Sequence, residues 1–499
     1  MSLLGIDVGT SGCKAAAFSE DGRQLGSAYR EYATIHQQPG WAELDSRAVL
    51  DAVWETVAEV AAETARDPIT ALCVSTMGEA MTPVSADRVV LDHCILSSDP
   101  RGGEHAEALA EQIGQEALYE INPNLLGPNY SLPKLLWLRE NRPELYNRAD
   151  KFLLWGDLVA FMLGCDPVTS FSHANRTLLF DIRRQVWSDR LLDWSGIDRR
   201  KLPVPVASGT VAGQVGAAAA KRLGLPKGVT VVVGGHDQCC NALGAGISRP
   251  GRAVCGIGTF QCIVPVYDHI PPAATMLARG LNVEHHVLDG LYVSFLYNQA
   301  GSLVRWFRDT FASADRKPFG EDEDVYDVLT AEMPAEPTRL LVLPYFEVTG
   351  APHFVADASG VIAGLRTGTT RGEILKAVME STTFYFVESV RALREIGIDT
   401  SEFIATGGGA KSDAWLQIQA DILGTPFTRL TRTECGIAGA AMLAGMATGV
   451  YTSSDEAVER FVARERTFQP SPSRHETYRA RYQLYRQLYP RLADFLPKL

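Results

Sequence analysis

The residues with chemical potential begin with one acid. In VTVVVGGHDQCCNALGAG (Val229–Gly246), Asp237 follows a β-branched run that reads as a buried strand and precedes Cys239, Cys240, Ala242 and Leu243, which read as the start of a helix. An aspartate at such a junction ordinarily caps the helix. It is also a fixed carboxylate carried by a rigid strand end, and what an acid does there is the chemical question. The adjacent cysteines match no usual metal-ligand spacing and read as small packing residues.

Three glycine-rich turns supply the second chemistry. In GIDVGTSGCKAAAF (Gly5–Phe18), small residues let the backbone N–H groups and the Thr10 and Ser11 hydroxyls approach a phosphate chain, with Lys14 adding a cation. Asp7, at the end of the first strand, is placed to hold Mg²⁺ through water, since that ion prefers carboxylate and phosphate oxygens. A plain β-hairpin explains this stretch equally well by itself. CGIGTFQ (Cys255–Gln261) offers a second Gly-Thr turn with Gly258 and Thr259, and two such turns imply a nucleotide between them. In TGGGAKSDAWLQIQADILG (Thr406–Gly424), Gly407, Gly408 and Gly409 join a strand to a helix, so a purine and ribose can lie on bare backbone. No G-x-x-x-x-G-K-[ST] loop and no G-x-G-x-x-G fingerprint occurs.

The elements that must position these residues alternate. Strand signals cover Leu3–Val8, Lys14–Phe18, Thr70–Ser75 and Val229–Val233; helical patterns cover Ser46–Ala65, Gly103–Ile113, Pro133–Asn141 and Ala217–Leu223. This is α/β grammar. It repeats in the second half, where CGIGTFQ pairs with GIDVGTS and IATGGGAKSD (Ile404–Asp413) pairs with VVVGGHD (Val231–Asp237), so two related domains are expected, residues 1–246 and 247–499. GAGISRPG (Gly244–Gly251) marks the junction.

Bulk properties narrow the classes. A chain of 499 residues exceeds one hydrophobic core. A formal net charge of −12 argues against a nucleic-acid binder, and Tyr478, Tyr482, Tyr485 and Tyr489 read as a stripe docking a terminal helix rather than a base-stacking surface. No apolar run is long enough for a membrane span, no secretory signal opens the chain, and nine scattered cysteines fit a reducing cytoplasm.

Together these segments resemble the FGGY carbohydrate kinases, relatives of actin, hexokinase and the heat-shock ATPases. Besides the three glycine turns, GWAELD (Gly40–Asp45), SLPKLLWLREN (Ser131–Asn141), TLLFDIRRQVWS (Thr177–Ser188), PYFEVTGAP (344–352) and GGGAKSDAWLQIQADILGTP (Gly407–Pro426) match in kind, nearly end to end. The resemblance implies two ribonuclease-H-like α/β domains around a cleft, the first mainly for sugar and the second mainly for nucleotide. It implies transfer of the γ-phosphoryl of ATP, with Mg²⁺, to a hydroxyl of a small sugar or polyol, and it is compatible with a homodimer.

By residue-by-residue matching, Asp237 falls on the aspartate that accepts the hydroxyl proton, a role in which a helix dipole would keep its pKa low. Thr10, Ser11, Lys14, Gly258, Thr259, Gly301, Gly408, Gly409 and Asp413 fall on nucleotide positions, and Asp7 on the metal position. Met77, Glu79, Asp99, Arg101 and Gln238 fall on the substrate side with Asp237.

That side departs from the family. STMGEAMTPV (Ser75–Val84) has Gly78-Glu79 where xylulokinases carry Met-His and glycerol kinases Arg-Glu, and SSDPRG (Ser97–Gly102) has Ser97 where an aromatic is usual. A pentulose such as xylulose is the first expectation, with a hexulose or a four- to five-carbon polyol as alternatives. A chaperone-like ATPase or phosphohydrolase on the same scaffold would instead hydrolyse ATP without sugar. A non-catalytic sugar sensor would carry a DNA-binding segment, whereas this chain begins at the first phosphate loop.

Overall fold

The computed structural model describes residues 1–312, 325–351, 353–357 and 359–499; Pro352, the last residue of PYFEVTGAP, lies outside them. The apolar segments at the N-terminus form β1 (Ser2–Val8), β2 (Gly12–Ser19) and β3 (Gln24–Glu31), an antiparallel meander whose first turn is the Gly9–Gly12 loop. Helix α1 (Ser46–Glu63) follows, its N-terminus capped by Asp45, which accepts from the backbone N–H of Arg47 and Ala48. The chain returns as β4 (Ile69–Thr76), parallel to β1.

After a largely helical excursion containing α2 (Ser131–Asn141) and α3 (Phe171–Asn175), β5 (Val211–Gln214) and β6 (Thr230–His236) complete a sheet of order β5-β6-β4-β1-β2-β3. The strand β6 is longer than its β-branched run suggests, because Gly234 and Gly235 belong to it. A β-carbon on Gly234 would come within 1.9 Å of the Val74 carbonyl oxygen, and one on Gly235 within 2.5 Å of Val287 Cγ1. These glycines serve close packing rather than a turn.

The second half rebuilds the same plan. Strands β7 (Arg252–Ile257) and β8 (Phe260–Tyr267) form a hairpin. The short β9 (Glu284–His285), β10 (Tyr292–Val293) and β11 (Leu296–Gln299) extend it on one side; β12 (Glu402–Thr406), β13 (Phe427–Leu430) and β14 (Arg464–Phe468) extend it on the other. The strands β7, β12 and β13 run parallel, as β1, β4 and β6 do.

The hairpins GIDVGTS and CGIGTFQ therefore correspond, as the sequence repeat suggests. The other pairing shifts by one unit. By position in the sheet, IATGGG on β12 corresponds to β4, and the counterpart of β6 with Asp237 is β13. A glycine cluster after a strand is too common a local solution to mark equivalent positions.

Helices α4 (Asp237–Gly244) and α8 (Cys435–Ala447), which follow β6 and β13, cross between the two sheets. Their backbones touch: a β-carbon on Gly244 would lie 1.8 Å from the Cys435 carbonyl oxygen, and one on Gly439 2.0 Å from that of Cys240. Cys239, Cys240, Ala242 and Leu243 are fully buried in the same apolar cluster as Ile437, Ala441 and Met442. The two cysteine thiols lie against the carbonyls of His285 and Gly235, and burial pushes both far above the ordinary thiol range, so they act as packing residues.

Helices α5 (Gly301–Phe311), α6 (Arg371–Glu395) and α7 (Asp413–Leu423) cover the second sheet, and α9 (Pro472–Tyr485) docks through buried Tyr478, Tyr482 and Tyr485. Among the described residues no helix is long and apolar enough to cross a membrane.

Candidate active site

Register within the first sheet brings two acids together. Asp7 on β1 pairs with Ser75 on β4, and Ser75 pairs with Gly235 on β6, so Asp237 stands just beyond the same end of the sheet. Ser75 Oγ donates to Asp7 Oδ1 at 2.7 Å. Gly436, in the first turn of α8, leaves open backbone next to Asp7: a β-carbon there would lie 3.8 Å from Asp7 Oδ1.

Burial pushes the Asp7 carboxyl up to about 6, with Ser75 pulling it part of the way back and Glu434 adding to the rise. Asp237 rises further, to about 7, first because it is removed from water and then because of the charge on Asp7. The low pKa expected from the helix dipole is therefore not found. Asp237 is the first residue of α4, the capping position is His236, and desolvation outweighs the dipole and the Gln238 N–H.

The Asp237 side chain keeps 34% of its surface exposed, and its Oδ1 has no hydrogen-bond partner among the described residues. His236 Nε2 approaches that oxygen at 3.3 Å, but burial holds the imidazole well below its usual pKa, so it is neutral.

Two cavities lie on either side of the β7–β8 hairpin. One, of about 440 Å³, is lined by the hairpin turn (Gly258, Thr259), the start of α5 (Gly301) and the loop leading to α7 (Gly408, Gly409), with Trp415 among its walls. The turn is pinned to α5, since Gly301 N–H donates to the Gly258 carbonyl at 3.0 Å and Ser302 N–H to that of Thr259 at 3.2 Å. A β-carbon on Gly301 would come within 2.3 Å of the Gly258 oxygen, so only glycine allows that approach. Gly408 differs, because a β-carbon there would meet nothing within 4 Å and would project into open space. Five of the expected nucleotide residues thus share one cavity.

The other expected nucleotide residues lie elsewhere. Thr10 and Ser11 stand exposed at the tip of the β1–β2 hairpin, whose Gly9 carbonyl accepts from Tyr32 Oη at 2.6 Å. Lys14 pairs with Glu434 at 3.2 Å. Asp413 is not among the residues lining the cavity, although Lys411 and Ser412 are. It holds Arg429 at 2.6 Å and also pairs with Arg466, while Ser412 caps α7.

The second cavity, of about 700 Å³, is lined by Gln238 and His236 from the Asp237 junction, by Phe260 and Cys262 of β8, and by Tyr130, Arg176 and Phe295. Asp237 sits between His236 and Gln238, which both line this wall; burial raises the Cys262 thiol, to about 12, and the Asp237 charge adds to the rise. Of the expected substrate residues, Gln238 lines the cavity and Glu79 reaches it indirectly by pairing with Arg176.

Three others are not among the residues lining it. Met77 is buried in the core of the first domain. Asp99 is fully buried and accepts from the backbone of Ala42 at 2.7 Å and from Arg101 Nε at 2.9 Å. Arg101 in turn pairs with Glu43 at 2.8 Å and stacks on Trp41 and Trp137, 3.8 and 4.8 Å from the ring centres. Lys134 completes this unit by donating to the Asp99 and Arg101 carbonyls. Both Asp99 oxygens, and Nε and one terminal nitrogen of Arg101, are paired within this unit, which buttresses the loop.

Arg176 and Glu284 were not singled out from the sequence. Arg176 lies directly before the TLLFDIRR segment, but its partner is 108 residues away. Nothing local marks the pair.

Mg²⁺, which the family resemblance implies, can be weighed against these side chains. Two carboxyl groups near one another at one end of the first sheet, both raised in pKa by burial and one with an unpartnered oxygen among the described residues, fit an ion held by carboxylate and phosphate oxygens together. Among the described residues no cluster of three or more His, Cys, Asp or Glu forms an all-protein metal cage.

Comparison with known proteins agrees with this architecture. Residues 2–244 match the N-terminal domain, and residues 277–448 the C-terminal domain, of the FGGY family of carbohydrate kinases. The chain is 30% identical to a xylulose kinase of Bacillus subtilis (strain 168) over 99% of its own length and 97% of that protein. It is 28% identical to a glycerol kinase of Halorhodospira halophila over 94% of its length and 92% of that protein. A crystal structure of xylulose kinase from Rhodospirillum rubrum superposes with a TM-score of 0.89 at 26% identity, covering 99% of this chain and 100% of that one. With two ribonuclease-H-like domains facing each other across Asp7 and Asp237, the chain belongs to the FGGY family of carbohydrate kinases and is an ATP-dependent phosphotransferase acting on a sugar or polyol hydroxyl.

Proposed function

We propose that the protein phosphorylates a hydroxyl of a pentulose such as xylulose, with Asp237 accepting the hydroxyl proton. The observation that carries this reading is the position of Asp237, whose side chain is exposed by a third and whose buried Oδ1 has no hydrogen-bond partner among the described residues, beside a cavity that Gln238 lines and the β7–β8 hairpin separates from a second one. Full-length relatives named xylulose kinase support the choice of a five-carbon ketose. Gln238 beside the acid, together with the glycerol kinase relatives, favours a short polyol as the second reading.

In this reading nucleotide occupies the smaller cavity, mainly on the second domain (247–499), with its purine against Gly408 and Gly409 and its phosphates toward Thr259, Thr10 and Ser11. Acceptor occupies the larger one, mainly on the first domain (1–246). Asp7 would hold Mg²⁺, which neutralises phosphate charge in such transfers. The carboxylate of Asp237 orients the attacking hydroxyl and takes its proton. Closure of the two domains excludes water and so favours the sugar over hydrolysis. Nine free cysteines, eight of them buried, support a reducing cytoplasm as the setting.

The test is ADP release from ATP with Mg²⁺ over a panel of ketoses and alditols, followed by mass spectrometry of the product. A phosphate ester formed from xylulose at the highest kcat/KM supports the reading, and a preference for glycerol or erythritol favours the second one. ATP hydrolysis as fast without any acceptor as with one overturns both.

A further inference from the structure

Arg176, at the end of α3, lines the larger cavity with its guanidinium held on both sides. One terminal nitrogen donates to Glu284 Oε1 at 2.5 Å and the other to Glu79 Oε1. Asn282 also donates to Glu284 Oε1, at 2.9 Å, while Glu284 Oε2 and Arg176 Nε have no partner among the described residues. The aromatic faces of Tyr130 and Phe295 lie 5.1 and 5.7 Å from the guanidinium carbon and fix its plane. Glu284 is fully buried, and Arg176 and Glu79 keep only 13% and 9% of their side-chain surface.

The position beneath this arginine is Gly78. A β-carbon on it would stand 3.2 Å from both Cγ and Nε of Arg176, so a larger residue at 78 would press directly on the arginine. The guanidinium stem occupies the space above Gly78.

Alone, an arginine in a sugar cavity would be a receptor for a carboxylate. This one already faces two carboxylates, one with a spare oxygen, and Asp237 lies near the same wall. The cluster of Arg176, Glu79 and Glu284 is formally negative. It still offers N–H donors, which a hydroxyl oxygen accepts at little electrostatic cost, whereas an acid would bring a further negative charge into a poorly solvated site.

We infer that Arg176, held by Glu79 and Glu284 above Gly78, is the specificity-determining residue of the acceptor cavity and selects neutral polyhydroxylated acceptors over sugar acids. The inference rests on the acceptor reading of that cavity given above.

The experiment compares wild type, Arg176→Gln, Glu284→Gln and Gly78→His in the ADP-release assay, using xylulose, ribulose and arabinitol against ribonate and gluconate. Wild type should prefer the neutral set by about 100-fold or more in kcat/KM, the scale on which buried polar groups discriminate. Arg176→Gln should raise the KM for the neutral acceptor about tenfold and leave that for ATP within about twofold. Gly78→His should do the same by displacing the guanidinium, which covers the case of an arginine variant that does not fold. Glu284→Gln should narrow the neutral-to-acid ratio about tenfold by freeing positive charge.

Equal use of aldonates by wild type, an unchanged acceptor KM in both Arg176→Gln and Gly78→His, or an unmoved ratio in Glu284→Gln overturns the assignment of Arg176. A wild-type protein that turns over no neutral acceptor overturns instead the acceptor reading on which it rests.

Discussion

The carboxylate of Asp7 raises the proton affinity of Asp237 from two strands away, across the intervening Ser75 on β4. Both acids are pushed upward by burial, to about 6 and about 7, so near neutrality Asp7 is mostly ionised and Asp237 only in part.

An ionised Asp237 is what proton abstraction requires. The acceptor kcat/KM, which reports the free enzyme, should therefore rise with pH and level off above about 7. Saturating magnesium nucleotide brings positive charge to the pair, so the kcat profile should have its limb at lower pH. Stopped assays between pH 5 and 9 check both limbs; a flat profile contradicts the role of Asp237.

Asp237→Asn should lower kcat by about 10²–10⁴-fold, the usual share of a general base, with nucleotide affinity by calorimetry little changed. Its effect on stability has the opposite sign. A carboxyl whose pKa is higher folded than unfolded costs stability as pH rises from about 4 to about 7, because the unfolded chain ionises first. The variant should thus melt above wild type at pH 8, with the gap gone near pH 4, in paired thermal scans.

The two glycines at the smaller cavity should respond differently. Gly408→Val projects into open space, so Tm should hold while the KM for ATP rises about tenfold or more. Gly301→Ala meets the Gly258 carbonyl and should destabilise by about 1–3 kcal/mol through overpacking. Denaturant melts and ATP titrations on the same preparations separate the two outcomes.

Asp99 is buried and paired with Arg101, so Asp99→Ala should cost about 3–5 kcal/mol by leaving a buried guanidinium short of its partner. The acceptor KM of the folded fraction should stay within about twofold of wild type. A large KM change with an unchanged Tm would return Asp99 to the acceptor.

What the sequence made legible follows from how local each signal is. The Gly-Thr hairpins and the strand leading to Asp237 depend on turn chemistry and β-branched runs within a few residues, and the helices Gly103–Ile113 and Ala217–Leu223 occur with the expected bounds. Arg176 with Glu284 was not legible, because α3 and β9 meet only through the fold. The Asp99–Arg101 pair was readable as charged loop residues, but Trp41 and Trp137 closing over it turn those charges inward. The pKa of Asp237 went the other way from the local dipole argument, since desolvation is set by everything packed around the site.

The contact of Gly244 and Gly439 with the opposing backbone, where α4 and α8 cross, constrains how this molecule can move. With backbone against backbone at the contact and apolar side chains packed around it, the helices cannot approach further. The crossing lies close to Asp237, which begins one of the two helices. Asp237 is therefore anchored to the tightest packed point between the two sheets, while the residues lining the two cavities lie further from that point.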